Sequence, residues 1–69
     1  MCENFDILMN LLKQKEPLPY LEYEKILDSN FTVGEYDNPN KENTRDVHHY
    51  LIEIRHMGNI EKYEVSVYV

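Results

Sequence analysis

Sixty-nine residues allow one domain, spanning 1–69, with a thin stability margin, because a chain this short buries a small share of its surface. Thirteen acids against seven lysines and arginines give a net charge of −6, and no stretch is basic, which disfavours direct binding of nucleic acid or of an anionic membrane. Hydrophobic residues make up 42% of the chain, which excludes wholesale disorder, and the single cysteine, Cys2, excludes an intramolecular disulfide.

The opening Met1-Cys2-Glu3-Asn4 is acidic, and Asn10 soon breaks the apolar run Ile7-Leu8-Met9, unlike a secretory leader. No run approaches the ~20 apolar residues of a membrane span, so the expected compartment is the cytoplasm. Phe5, Leu8, Met9 and Leu12 recur at helical spacing, with Ile7 and Leu11 widening the stripe. Asn4 is placed to cap this helix and Asp6 suits its positive end, while Pro17 predicts a stop at Glu16. Residues 18–27 fit two periods. As a helix, Pro19 sits near the first position and Tyr20, Tyr23 and Leu27 share a face; as a strand, neither face is cleanly apolar, so the helix is preferred.

Asp28-Ser29-Asn30 ends that element, Phe31–Tyr36 reads as a short strand, and 37–46 as a long polar loop. The last third carries Gly58-Asn59 between two β-rich runs, a pair suited to a two-residue turn. With that turn, Met57 faces Ile60, Ile54 faces Tyr63, Ile52 faces Val65, Tyr50 faces Val67 and His48 faces Val69. The branched apolar residues of both runs then share one face. The second face takes Val47, His49, Leu51, Glu53, Arg55 and Met57 against Ile60, Lys62, Glu64, Ser66 and Tyr68. The predicted class is therefore α+β: one or two N-terminal helices packed on a small antiparallel sheet of about three strands, ending in a C-terminal β-hairpin.

Chemistry-bearing groups do not converge. His48 and His49 point to opposite faces of a strand, and His56 lies roughly 26 Å from His48 along it, which leaves no metal pair. Asp28-x-Asn30-x-Thr32 imitates a calcium loop, but Val33 stands where glycine is needed and Pro39 where the closing glutamate is needed. Cys2 has no fixed neighbour to activate it and reads as an ordinary thiol. The expectation is no catalytic residue, no metal, no cofactor and no enzyme activity.

Small size, acidity, the missing catalytic set and a partly apolar second hairpin face predict a protein-binding module, an adaptor or inhibitor of a partner protein. Six tyrosines and no tryptophan fit that reading, because tyrosine is enriched where proteins meet. The residues expected at the partner are Val47, His49, Leu51, Tyr68 and Tyr36. The alternative is an acidic nucleic-acid mimic that occupies the basic groove of a DNA- or RNA-binding enzyme, using Glu22, Glu24, Asp28, Glu35, Asp37, Glu42 and Asp46. In size and charge sign the chain resembles phage-encoded anti-CRISPR and anti-restriction inhibitors, a likeness of format that no motif carries. A second alternative is a structural subunit that homodimerises through the exposed edge of Val65–Val69.

Overall fold

A computed structural model of the chain describes residues 4–69. Two helices, α1 (Phe5–Leu12) and α2 (Tyr20–Leu27), precede three strands, β1 (Thr32–Asp37), β2 (Val47–His56) and β3 (Asn59–Tyr68). The strands form one antiparallel sheet in the order β1-β2-β3, so the class read from the sequence is the one observed. Cys2, expected to be an inert thiol, lies outside the described residues.

α1 begins where its cap dictates: Asn4 Oδ1 accepts a hydrogen bond of 2.8 Å from the Asp6 amide. Leu8, Met9 and Leu12 turn inward, whereas Ile7, counted with the apolar stripe, points to solvent. The helix ends at Leu12, four residues before the stop predicted from Pro17. Leu18 explains the early end. It is buried, and it pairs with the outer edge of β3, accepting from the Tyr68 amide and donating to the Ser66 carbonyl, both at 2.8 Å. An α-helix rises only ~1.5 Å per residue, so the chain leaves it early to reach that edge.

Residues 20–27 are helical, the preferred of the two readings, with Pro19 just outside the first turn. Tyr23 and Ile26 are buried under α2. The Asp28-Ser29-Asn30 break is built from side chains: Ser29 Oγ accepts from the Phe31 amide at 3.1 Å, and Thr32 Oγ1 donates to the Ile26 carbonyl at 2.6 Å. A bulge at Val33 follows, since Thr32 pairs with Ile54 but Gly34 pairs with Glu53.

The hairpin turn sits one residue earlier than expected. Met57 and Gly58, not Gly58 and Asn59, are its central residues, and both have positive φ, 51° and 82°. That is the type I′ requirement, whose twist matches the strands. Every pairing moves by two residues: Ile54 faces Glu61, Ile52 faces Tyr63, Tyr50 faces Val65 and His48 faces Val67. The expected register would have opposed Glu53 to Glu64 and Arg55 to Lys62, two like-charge pairs. The observed one sets Glu53 opposite Lys62. A shift of two leaves each residue on its predicted face, so the core assignment survives. Ile52, Ile54, Val65 and Val67 meet Leu8, Met9, Leu12, Leu18, Tyr23 and Ile26 in one cluster, with Tyr50 and Tyr63 packed at its margin.

Candidate protein interface

Both helices lie on one side of the sheet, and among the described residues no helix covers the other side. An antiparallel sheet tolerates this when its free face alternates with a buried one. The helix-free face receives the alternate residues of all three strands, and it brings together the five residues predicted to meet a partner. Tyr36 of β1 pairs directly with Leu51 of β2, and Val47 of β2 pairs directly with Tyr68 of β3. His49 stands between them, opposite Ser66, with its Nδ1 2.8 Å from Ser66 Oγ. Val47, His49 and Leu51 are half-buried, while Tyr36 and Tyr68 are 50% and 47% exposed.

The 38–46 loop ties itself to the start of β2. The His49 amide donates to Asn43 Oδ1 at 2.7 Å, the Val47 amide to Thr44 Oγ1 at 3.1 Å, and the Thr44 amide to the Val47 carbonyl at 2.8 Å. Lys41 of the same loop reaches Glu64 of β3 at 3.5 Å. The polar loop stays exposed over residues 39–46, and asparagine and threonine side chains tie it to the start of β2 in place of a strand partner.

Toward the middle of the sheet the face becomes polar. The Tyr36 hydroxyl donates to Glu53 Oε1 at 2.8 Å, and Lys62 Nζ lies 5.8 Å from the centre of the Tyr36 ring. The hydrogen bond to the Glu53 carboxylate, helped by its charge, holds the Tyr36 phenol above its usual pKa. Gly34 makes this pairing fit: an added Cβ would lie 2.5 Å from Glu53 Oε1 and 2.9 Å from the Tyr36 ring. Gly34 and Ile60, which is 56% exposed opposite Arg55, belong to this face but were not among the predicted contacts. A glycine interrupting a run of β-formers was the sequence signal for the first.

The seven acids of the alternative reading are dispersed. Glu22, Glu24 and Asp28 belong to α2 and its C-cap, and Glu22 pairs with Lys25 at 3.4 Å. Glu35 and Asp37 sit on the helix side of β1, where Glu35 accepts from the Tyr23 hydroxyl. Glu42 and Asp46 lie in the loop, and the Asp46 carbonyl accepts from the Val69 amide at 3.0 Å. The Tyr23 phenol is pushed up strongly, first by burial and then by the bond to Glu35. Tyr50, stacked on Tyr23 with ring centres 5.1 Å apart, is raised by burial and then by the charges of Glu35 and Asp37.

Among the described residues, no three His, Cys, Asp or Glu side chains gather closely enough to hold a metal ion, and no helix is long and apolar enough to cross a membrane. His48 faces the Tyr50 hydroxyl at 3.3 Å on the helix side, and His56 stacks on Phe5 at 3.7 Å, at the other end of β2. The outer edge of Val65–Val69, expected to be free for homodimerisation, is engaged at Ser66 and Tyr68 by Leu18.

Fold and site together define a two-layer α+β domain with one helix-covered and one open sheet face. No family model, curated protein or solved structure matches the chain.

Proposed function

We propose that this chain is a small acidic protein-binding module, acting as an adaptor or inhibitor of a partner protein without catalysis, and that it binds through the open sheet face. One observation carries the reading. Tyr36 with Leu51, and Val47 with Tyr68, stand directly opposite one another on a face that neither helix covers, with both tyrosines about half exposed. Rigid aromatic area on a sheet, rimmed by Glu53, Lys62 and Glu64, has the composition of an interface centre with a polar rim. The compartment that suits an acidic chain with its only cysteine at position 2 is the cytoplasm.

The acidic-mimic reading keeps one observation in its favour: Glu35 and Asp37 stand exposed on the same side of β1, close enough to Tyr50 for both charges to raise its pKa. One titration separates the two readings. After affinity capture of the partner from the native host, Tyr68→Ala or Leu51→Ala is expected to cost ~2 kcal/mol or more in binding, whereas Glu35→Gln with Asp37→Asn changes mainly on-rate and salt dependence. Strong loss from the neutralised acids, steep salt sensitivity and competition by free DNA or RNA, with Tyr68→Ala silent, would replace the module by the mimic.

A further inference from the structure

β3 is the outermost strand on its side of the sheet, and only part of its outer edge is occupied. Leu18 takes the Ser66 carbonyl and the Tyr68 amide. Strand alternation turns the amides and carbonyls of Ile60, Lys62 and Glu64 the same way, and among the described residues no backbone group pairs with them. An unpaired edge of this kind is a template for another strand.

Beside that edge runs α1, and a groove of about 510 Å³ lies between the helix and the hairpin. Met9, Ile54 and Tyr63 supply its apolar surface, and Asp6 and Glu61 supply carboxylates. Lys13, seven residues after Asp6 and ~10 Å along the helix, lines it at the other end. Free main-chain donors and acceptors along one side of an apolar cleft match the way extended peptides are recognised: the main chain gives affinity, and pockets for alternate side chains give specificity.

We propose that this edge and groove bind an extended segment of a partner protein, which adds to the sheet as a fourth strand beside Ile60–Glu64. Two side chains of that segment, two residues apart, enter the groove: a basic one against Asp6 and Glu61, and an apolar one against Tyr63 and Met9. The charge of the occupant follows from those two carboxylates and from the net charge of −6. A second copy of this chain fits less well. Edge-to-edge pairing would join two chains of −6 and lay both α1 helices on the same side of the joined sheet, each in the space beside the other's edge. The surface is distinct from the open face, because the groove lies on the helix side.

The test is an NMR titration of the ¹⁵N-labelled full chain with the peptide acetyl-Ser-Lys-Thr-Val-Thr-Ser-amide, whose lysine and valine share one side of a strand. Saturable shifts are expected at the amides of Ile60, Lys62 and Glu64 and at Met9 and Tyr63. A peptide with glutamate in place of lysine is expected to bind about threefold or more weakly. Lys62→Pro removes the central edge donor without touching the β2–β3 ladder and is expected to weaken binding about tenfold, whereas Lys62→Ala, which keeps the amide, leaves it unchanged. If Lys62→Pro does not fold, a peptide N-methylated at its central threonine makes the same test on the unaltered chain. No saturable shift to millimolar peptide, shifts confined to Leu51 and Tyr68, or equal affinity for the lysine and glutamate peptides would overturn the proposal. So would concentration-dependent shifts at Lys62 and Glu64 without any peptide, which would make a second copy the occupant.

Discussion

The two faces of one sheet have been built to different rules. On the helix side, Ile52, Ile54, Val65 and Val67 are closed over by Leu8, Leu12, Tyr23 and Ile26, and polar residues such as Glu35, Asp37 and Glu61 stand only toward the margins. On the open side the same three strands present Leu51 and Val47 beside Tyr36 and Tyr68, then a charged middle of Glu53 and Lys62, and the 38–46 loop is bonded to the backbone at the start of β2. Neighbouring residues of β2 therefore lie in different surroundings: Ile52 is fully buried in the core, whereas Leu51 is half-buried on the open side. In a chain of 69 residues the contrast has a cost, since half the sheet contributes little to the core.

The largest effect expected from this contrast is in the core. Ile52→Ala is expected to destabilise the chain by ~2–5 kcal/mol, as large-to-small changes at fully buried positions do, while the adjacent Leu51→Ala costs about 1 kcal/mol or less. Urea denaturation of the two variants measures both. Equal losses would erase the distinction between the faces and make Leu51 a core residue.

A second expectation concerns Tyr23, the largest buried side chain, whose hydroxyl reaches out of the core to Glu35. Burial, then the bond to Glu35, raises its pKa above the ordinary value near 10. The neutral phenol is thus favoured in the folded state, so its contribution is complete below about pH 10 and is lost as pH rises above it, because the unfolded chain releases the proton first. Tyr23→Phe is expected to cost ~1 kcal/mol at neutral pH and to flatten the alkaline fall in stability relative to the parent. Chemical denaturation at pH 8 and above pH 10 reads both changes. An unchanged alkaline slope would mean that Tyr23 does not link the core to the edge strand.

How much of this was legible varies along the chain. α1 and its Asn4 cap were, because local periodicity and a capping side chain act within a few residues. The end of α1 was not, since it is decided by Leu18 meeting Ser66 and Tyr68 almost fifty residues away. The faces of the hairpin were legible from alternation alone, but its register was misjudged by two. Gly58-Asn59 looked like the turn, whereas Met57 accepts positive φ and Gly58 takes the second central position. The charges carried the missing information, because only the observed register opposes Glu53 to Lys62. That Val47, His49, Leu51 and Tyr68 share one face was legible from parity, and Tyr36 was already placed off the core face. The docking of the 38–46 loop was not, because it depends on Asn43 and Thr44 finding the β2 backbone.

The turn offers a third and smaller test. Met57 occupies a left-handed conformation that asparagine adopts more readily, and it is exposed, with nothing to lose in packing. Met57→Asn creates an Asn-Gly pair in the observed type I′ turn and is expected to stabilise by ~0.5–1 kcal/mol. If the turn were instead centred on Gly58 and Asn59, the change would bring no gain, so thermal denaturation of this variant checks the register as well.

The smallest expected change in stability is at Gly34, and it isolates the open face most cleanly. An alanine there would press against the ends of two flexible side chains, Glu53 and Tyr36, and not against backbone. Replacing a strand glycine removes some conformational freedom from the unfolded chain, worth ~0.5–1 kcal/mol, while displacing an exposed hydrogen bond costs a similar amount. The two effects oppose each other, so Gly34→Ala is expected to leave stability nearly unchanged. The Tyr36 phenol, however, loses the Glu53 carboxylate that holds its pKa up, and spectrophotometric titration is expected to show it moving down toward the ordinary tyrosine value. A large loss of stability would mean that the Tyr36–Glu53 pair supports the fold, and the open face could then not be changed independently of the core beneath it. A lowered Tyr36 pKa at constant stability would show a face whose chemistry varies without disturbing what lies behind it, the property that a binding surface on so small a domain requires.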